Sequence, residues 1–360
     1  MAILGRRQRS DLLRVLRLLA PGTILRDGLD NVLRARTGGL IVLADPEQLE
    51  GMLGGGIPLD VDITPAILYE LGKMDGAIVL DGNGRRARYA NVQLLPDPVI
   101  PSKETGIRHR TAERVARQTG ALVIAISQRR DVITVYQGEL RYQLQDLVVI
   151  LAKANQALQT LDKYSHVLDE SLNSLAALEF EDLVTLQDVT RVLRRTEMVL
   201  QLGQLIETYI AELGSEGRLI AMQRRELVGG ADREGLSVVR DYLHIESTHL
   251  AEEVYDTIHE LAASDSLTPG HIAQALGYES TTNLLEMFVS PRGYRVLSRV
   301  PRLPNTVVDN IVRRFGSLQR ILSADAAELD EVEGVGEIRA RAVIEGLQRY
   351  QQQVFLDRRV

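Results

Sequence analysis

The chain has 360 residues, room for two or three domains, and its 45% hydrophobic and 25% charged residues are the balance of a globular protein. It has no Cys, which excludes disulfides, a thiolate zinc site and a cysteine nucleophile; a formal net charge of −7 excludes a protein that coats nucleic acid along its length. No apolar run reaches the roughly 20 residues that span a bilayer, so the expectation is a cytoplasmic chain with no membrane partner.

In chain order, Leu12, Val15, Leu16 and Leu19 fall at i, i+3, i+4 and i+7, which predicts an amphipathic first helix and not a targeting peptide. Leu40-Ile41-Val42-Leu43 follows Gly38-Gly39 and reads as a short buried strand. Gly54-Gly55-Gly56 reads as a flexible loop. Ala77-Ile78-Val79-Leu80 is a second strand, closed by the turn Asp81-Gly82-Asn83-Gly84 and continued by residues 89–94. Residues 111–118 read as a helix ending at Gly120; residues 122–126 and 132–136 read as strands. Strands mixed with helices and hairpins predict an α/β (α+β) domain with a mixed sheet over residues 1–147.

The pattern changes near residue 148. Leu151, Ala154, Leu158, Leu161, Leu168, Leu172 and Leu175 keep a helical stripe, with Ser165 as its break, and helical patterning persists to about residue 285. Residues 148–289 are expected to form an all-α spine. Residues 290–360 hold two short helical hairpins, one around Val300-Pro301-Arg302-Leu303-Pro304 and one around Gly334-Val335-Gly336. There is no Gly-Lys-Ser/Thr phosphate loop, no His-Glu-x-x-His helix and no Gly-x-Ser-x-Gly elbow.

Two segments of the first domain carry chemistry. Arg108-His109-Arg110 precedes the helix expected from Thr111, and a helix N-terminus with two guanidiniums beside it suits phosphate oxygens. Thr111 can cap that helix or donate to a phosphate. By composition alone the segment also reads as a solvated basic turn. Asp75-Gly76-Ala77 leads into a strand, and its small residues let a ligand approach the backbone. A carboxylate facing a triphosphate needs a divalent cation between the charges, and can also orient a sugar hydroxyl. Alone, Asp75 reads equally as a turn residue.

Asp-Gly-Ala followed some thirty residues on by Arg-His-Arg resembles the diadenylate cyclase family. The surroundings Lys73-Met74-Asp75-Gly76-Ala77, Ala90-Asn91-Val92-Gln93-Leu94 and Arg108-His109-Arg110-Thr111-Ala112-Glu113-Arg114 carry the same likeness, and one branch of the family shares this order of domains. The resemblance implies condensation of two ATP into cyclic di-AMP with Mg²⁺ or Mn²⁺. It implies that Asp75 binds the metal and activates the ribose 3′-hydroxyl, that Gly76 and Ala77 lie against ATP, and that Arg108, His109, Arg110 and Thr111 hold phosphates. It places Leu94 near the adenine and Ser127 near the phosphates. The family commonly has Thr before Arg108; here Ile107 stands there, and the missing hydroxyl costs ~1–3 kcal/mol of binding if it met a charged oxygen.

The product's two equivalent links need two active sites facing each other, so a homo-oligomer is expected, and the resemblance implies an octamer in a bacterial cytoplasm near the nucleoid. Gly334, Val335 and Gly336 form a helix-hairpin-helix turn whose N–H groups can meet a DNA phosphate, with Arg313, Arg314, Arg339 and Arg341 as further phosphate partners. Such contacts read DNA shape, and the resemblance implies branched, Holliday-junction-like DNA. The alternative is a junction-binding scaffold whose first domain senses a nucleotide without turning it over.

Overall fold

Apolar runs that are buried along their whole length build the first unit. In the computed structural model, which describes residues 6–279 and 282–357, the chain divides into two units: residues up to 156 together with 206–222, and residues 157–205 together with 223 onward.

The first unit opens with helices α1 (Arg6–Leu18) and α2 (Ile24–Arg34), then strands β1 (Gly39–Leu43), β2 (Leu53–Gly54) and β3 (Ile57–Asp62), helix α3 (Pro65–Leu71), and strands β4 (Ala77–Leu80) and β5 (Arg86–Leu94). Helix α4 (Ile107–Thr119) follows, then β6 (Leu122–Ser127), β7 (Val132–Gln137) and β8 (Leu140–Gln143). The eight strands form one sheet in the order β2-β5-β4-β1-β6-β7-β8, with β3 also on β5. β1 and β4 run parallel and the other pairs antiparallel, the mixed sheet expected from the sequence.

Both faces of this sheet are covered, which is why its central strands read as unbroken apolar runs. Ile41, Leu43, Ile78, Leu80, Ile124 and Ile126 pack on one face with Leu12, Leu16, Leu29 and Leu68 of α1 to α3. Leu40, Val42, Ala77, Val79, Val123 and Ala125 pack on the other with Ala112, Val115 and Ala116 of α4. Neighbouring residues of each strand thus serve opposite layers.

The remaining helices are α5 (Leu147–Glu181), α6 (Leu186–Leu213), α7 (Arg218–Val228), α8 (Ala231–Tyr242), α9 (Ala251–Ala263), α10 (Pro269–Ala275), α11 (Tyr294–Leu297), α12 (Asn305–Phe315), α13 (Leu318–Ser323), α14 (Ala326–Asp330) and α15 (Gly336–Asp357). Helix α5 is unbroken through Ser165, whose hydroxyl donates to the Leu227 carbonyl at 3.0 Å, so the expected break is a polar contact inside a continuous helix. In the second unit Ala176, Ala177 and Phe180 of α5 join a core with Val296, Ile311, Leu318, Leu329 and Leu347 of α11 to α15. Arg295 and Glu179 form a fully buried ion pair there; Tyr242 donates to the same carboxylate at 2.8 Å. Asp241 accepts from the backbone N–H groups of Gly293, Tyr294 and Arg295 at 2.6–2.9 Å, capping α11. Among the described residues no helix is long and apolar enough to cross a membrane.

Candidate functional site

Strand register brings the predicted residues to one end of the sheet. β1 and β4 run parallel with Ile41 beside Ile78, so both strands start at the same edge. β6 ends there, with Ile126 opposite Gly39, and β5 ends there, with Val92 opposite Ala77. Asp75-Gly76-Ala77, Gly38-Gly39, Ser127 and Leu94 therefore share one edge. Ala77 and Leu94 belong to the layer that packs α4, and Ser127 continues the alternation of Val123 and Ala125 on that face.

Gly76 has φ +86°, and a Cβ on it would lie 2.8 Å from the Val92 carbonyl oxygen and 2.9 Å from the Asn91 carbonyl carbon. The β5 backbone is bulged at this point, with Asn91 itself at φ +53°. Only glycine fits so close an approach. Asp75, just before it, is exposed.

Helix α4 begins earlier than expected. Its first residue is Ile107 and its N-cap is Gly106, which has no side chain to bond the first turn. Arg108, His109 and Arg110 therefore lie inside that turn and not before it, and Thr111 is a helical residue, not a cap. The uncapped N–H groups and the helix dipole leave a place for an anion. The Arg108 guanidinium packs on Gly38, at φ +72°, where any side chain would collide with it. Arg108 is thus held at the start of β1, one strand from Gly76.

Arg110 takes another direction, because residues two apart on a helix do not share a face. Its guanidinium donates to the Thr105 carbonyl at 3.3 Å, while its Nε is buried without a partner. The Thr37 hydroxyl, beside Gly38, is likewise buried and unpartnered. Ile107 is 80% exposed and donates nothing from its side chain. The Ser127 hydroxyl accepts from the Arg130 N–H at 3.3 Å in the turn after β6.

His109 points into a network that the sequence did not reveal. Its Nδ1 lies 3.0 Å from the Tyr136 hydroxyl, which lies 3.0 Å from Glu104 Oε1; the same oxygen accepts from Arg141 Nε at 2.6 Å. Burial pushes the Glu104 carboxyl up, but the hydrogen bonds from Arg141 and Tyr136 outweigh it and hold it below the usual glutamate value. Burial pulls His109 below the ordinary histidine value; Glu104 opposes this, and Arg141, Arg130 and Arg108 add to it. Burial and the bond to Glu104 push the Tyr136 phenol up. Spacings of 27 and 32 residues join this network, and no local motif announces it.

The described residues contain no cluster of three or more His, Asp or Glu that could cage a metal. The lone exposed carboxylate of Asp75 fits an ion held mainly by phosphate oxygens and water.

In the second unit, Gly334 (φ +85°) and Gly336 (φ +62°) are exposed while Val335 between them is buried at 3%, so the hairpin offers backbone outward and an apolar anchor inward. The first hairpin uses Arg302 at φ +61° where the second has glycine. Arg339 donates to the Gly334 carbonyl at 2.6 Å, Arg341 pairs with Glu337 at 2.6 Å and Arg314 with Glu331 at 3.3 Å. Arg313 is exposed on α12. Exposed pairs of this kind contribute about 0–1 kcal/mol, so a phosphate can displace them.

Three family descriptions match the chain: DisA bacterial checkpoint controller nucleotide-binding over residues 26–140, DisA bacterial checkpoint controller linker region over residues 144–285, and a SAM-like helix-hairpin-helix tandem over residues 294–349. The DNA integrity scanning protein DisA of Carboxydothermus hydrogenoformans is 53% identical over 94% of this chain and 96% of its own. That of Clostridium kluyveri is 52% identical over 95% and 96%, and that of Symbiobacterium thermophilum 51% identical over 98% and 99%.

Proposed function

Because this chain belongs to the DisA family and is a nucleotidyltransferase of the diadenylate cyclase class, we propose that it joins two ATP molecules into cyclic di-AMP and releases two pyrophosphates. The observation that supports this reading is the shared sheet edge: β4 starts just after Asp75 and Gly76, β6 ends at Ser127, and the Arg108 guanidinium packs on Gly38 at the start of β1.

In each half-reaction a ribose 3′-oxygen attacks the α-phosphorus of the other ATP, the 3′ proton leaves and pyrophosphate departs. Asp75 accepts the hydroxyl's hydrogen bond and orients the oxygen. Arg108, fixed against Gly38, and the N–H groups opening α4 oppose the charge that grows on the phosphoryl oxygens. Gly76 and Ala77 let the nucleotide lie against backbone, with Leu94 under the base. Asp75 would also hold Mg²⁺ or Mn²⁺, which supplies neutralisation of the triphosphate charge. Arg110, on a different side of α4, suits the triphosphate of the facing subunit better than its own.

Two links related by a twofold axis need two copies of the site, so the working form is a homo-oligomer, and the family order of domains fits an octamer. The helix-hairpin-helix tandem binds branched DNA by shape and lowers cyclase output, in a bacterial cytoplasm. The test is to incubate the full chain with ATP and Mg²⁺, or Mn²⁺ in parallel, and separate the products by chromatography with and without a four-way junction. Cyclic di-AMP and pyrophosphate are expected at one to two, falling with the junction. ATP binding without pyrophosphate release would instead mark a nucleotide-sensing scaffold.

A further inference from the structure

The His109 network fixes protons as well as atoms. The ionised Glu104 carboxylate can only accept hydrogen bonds, and it takes two, one from Arg141 and one from Tyr136. A phenol has a single proton. Once that proton is given to Glu104, the Tyr136 oxygen facing His109 can only accept, so Nδ1 must carry the hydrogen at the 3.0 Å contact. The neutral ring therefore leaves Nε2, which has no partner among the described residues, with a bare lone pair.

A lone pair repels a phosphate oxygen, whereas a protonated Nε2 both donates to it and carries charge. We propose that Tyr136 and Glu104 are positioning residues that lock His109 as its Nδ1–H tautomer, so that His109 takes up a proton on Nε2 when it engages the triphosphate. This rests on the nucleotide site proposed above. The groups facing the ring are Arg108 on its own helix, Glu104 in the preceding loop, Arg130 in the turn after β6, Tyr136 on β7 and Arg141 on β8. Burial first, and then the three cations, keep the free ring neutral; Glu104, one phenol away, supports the imidazolium once phosphate adds its own negative charge. The proton comes from solvent, so ATP affinity falls as pH rises.

The test is titration calorimetry of the full chain with Mg²⁺ and 3′-deoxy-ATP, which lacks the attacking hydroxyl. It is run at about pH 8, where an ordinary imidazole is neutral, in buffers of different ionisation enthalpy. The wild type should take up close to one proton per site above the His109→Gln baseline. Tyr136→Phe removes the lock, and Glu104→Ala frees the phenol to donate to Nδ1; in both, neutral Nε2–H becomes available, and uptake should fall by at least half while the analogue still binds. A merely structural role for these residues would lower affinity equally at every pH and leave the proton count unchanged. That result, or wild-type binding with no proton uptake, overturns the proposal. A wild type that binds no analogue at any pH overturns the nucleotide-site reading instead, and this proposal with it.

Discussion

Replacing Gly76 with Ala tests whether the tight β4–β5 approach is built for the site. Alanine at φ +86° costs about 1–2 kcal/mol from the left-handed backbone alone. Its Cβ would also meet Val92 O at 2.8 Å, Asn91 C at 2.9 Å and Val92 N at 3.0 Å, all backbone atoms of β5 that cannot rotate away. Overpacking of this kind costs about 1–3 kcal/mol more. The sum, about 2–5 kcal/mol, lowers the Tm of a unit this size by roughly 4–20 °C. Gly55→Ala is the matched control: its φ is +66°, yet nothing lies within 4 Å of the added Cβ, so it bears only the backbone term. Thermal melts of both variants, followed by titration with 3′-deoxy-ATP, read the difference. Gly76→Ala should lose more stability than Gly55→Ala and at least tenfold in nucleotide affinity, while Gly55→Ala keeps its affinity. Equal melts for the two variants would refute the close-approach reasoning, and unchanged affinity in Gly76→Ala would detach the bulge from the site.

Gly38→Ala should displace the Arg108 guanidinium and weaken analogue binding at least tenfold by calorimetry, because the added methyl occupies the guanidinium's place. Burial, with Glu179 nearby, pushes the Asp241 carboxyl up to about 7 against 3.8 in the unfolded chain. Between those values the folded state holds a proton that the unfolded state has released, so the stability of the second unit should fall as pH rises and flatten above about 7. Asp241→Asn should abolish that slope in melts taken across the range. Arg313→Ala should reduce the salt dependence of DNA binding by about one charge in fluorescence anisotropy, with the affinity loss uniform across sequences. Chelation by EDTA should stop cyclic di-AMP formation, and added Mg²⁺ or Mn²⁺ should restore it.

The central strands were legible because both faces of the sheet are covered, which makes β1, β4 and β6 continuous apolar runs. Strand β3 was not: its sequence Ile-Pro-Leu-Asp-Val-Asp is almost wholly exposed and carries Pro and two Asp, so neither apolar period nor composition marks it. The start of α4 was misplaced because Thr111 looks like a cap while the true N-cap, Gly106, offers no side-chain signal. Asp75, Gly76, Arg108 and, separately, the Gly334 hairpin could be named from short motifs, but the placing of the Asp75-Gly76 and Gly38 segments at one sheet edge depends on strand register, which no local pattern records. The divergence of Arg108 and Arg110 followed from helical geometry once the helix boundary was known. The Glu104–Tyr136–His109 chain and the Glu179–Arg295 pair join residues far apart in sequence, and a single sequence gives no sign of such partners.

The most direct test of the sheet-edge site is a crystal structure of the full chain with Mg²⁺ and 3′-deoxy-ATP. The triphosphate should lie at the start of β1 and β4, contacting Arg108 and the first turn of α4, with the sugar edge toward Asp75. A nucleotide seated instead in the open depression lined by Asn31, Arg34, Thr64 and Tyr69, on the α2 and α3 side of the unit, would contradict the account.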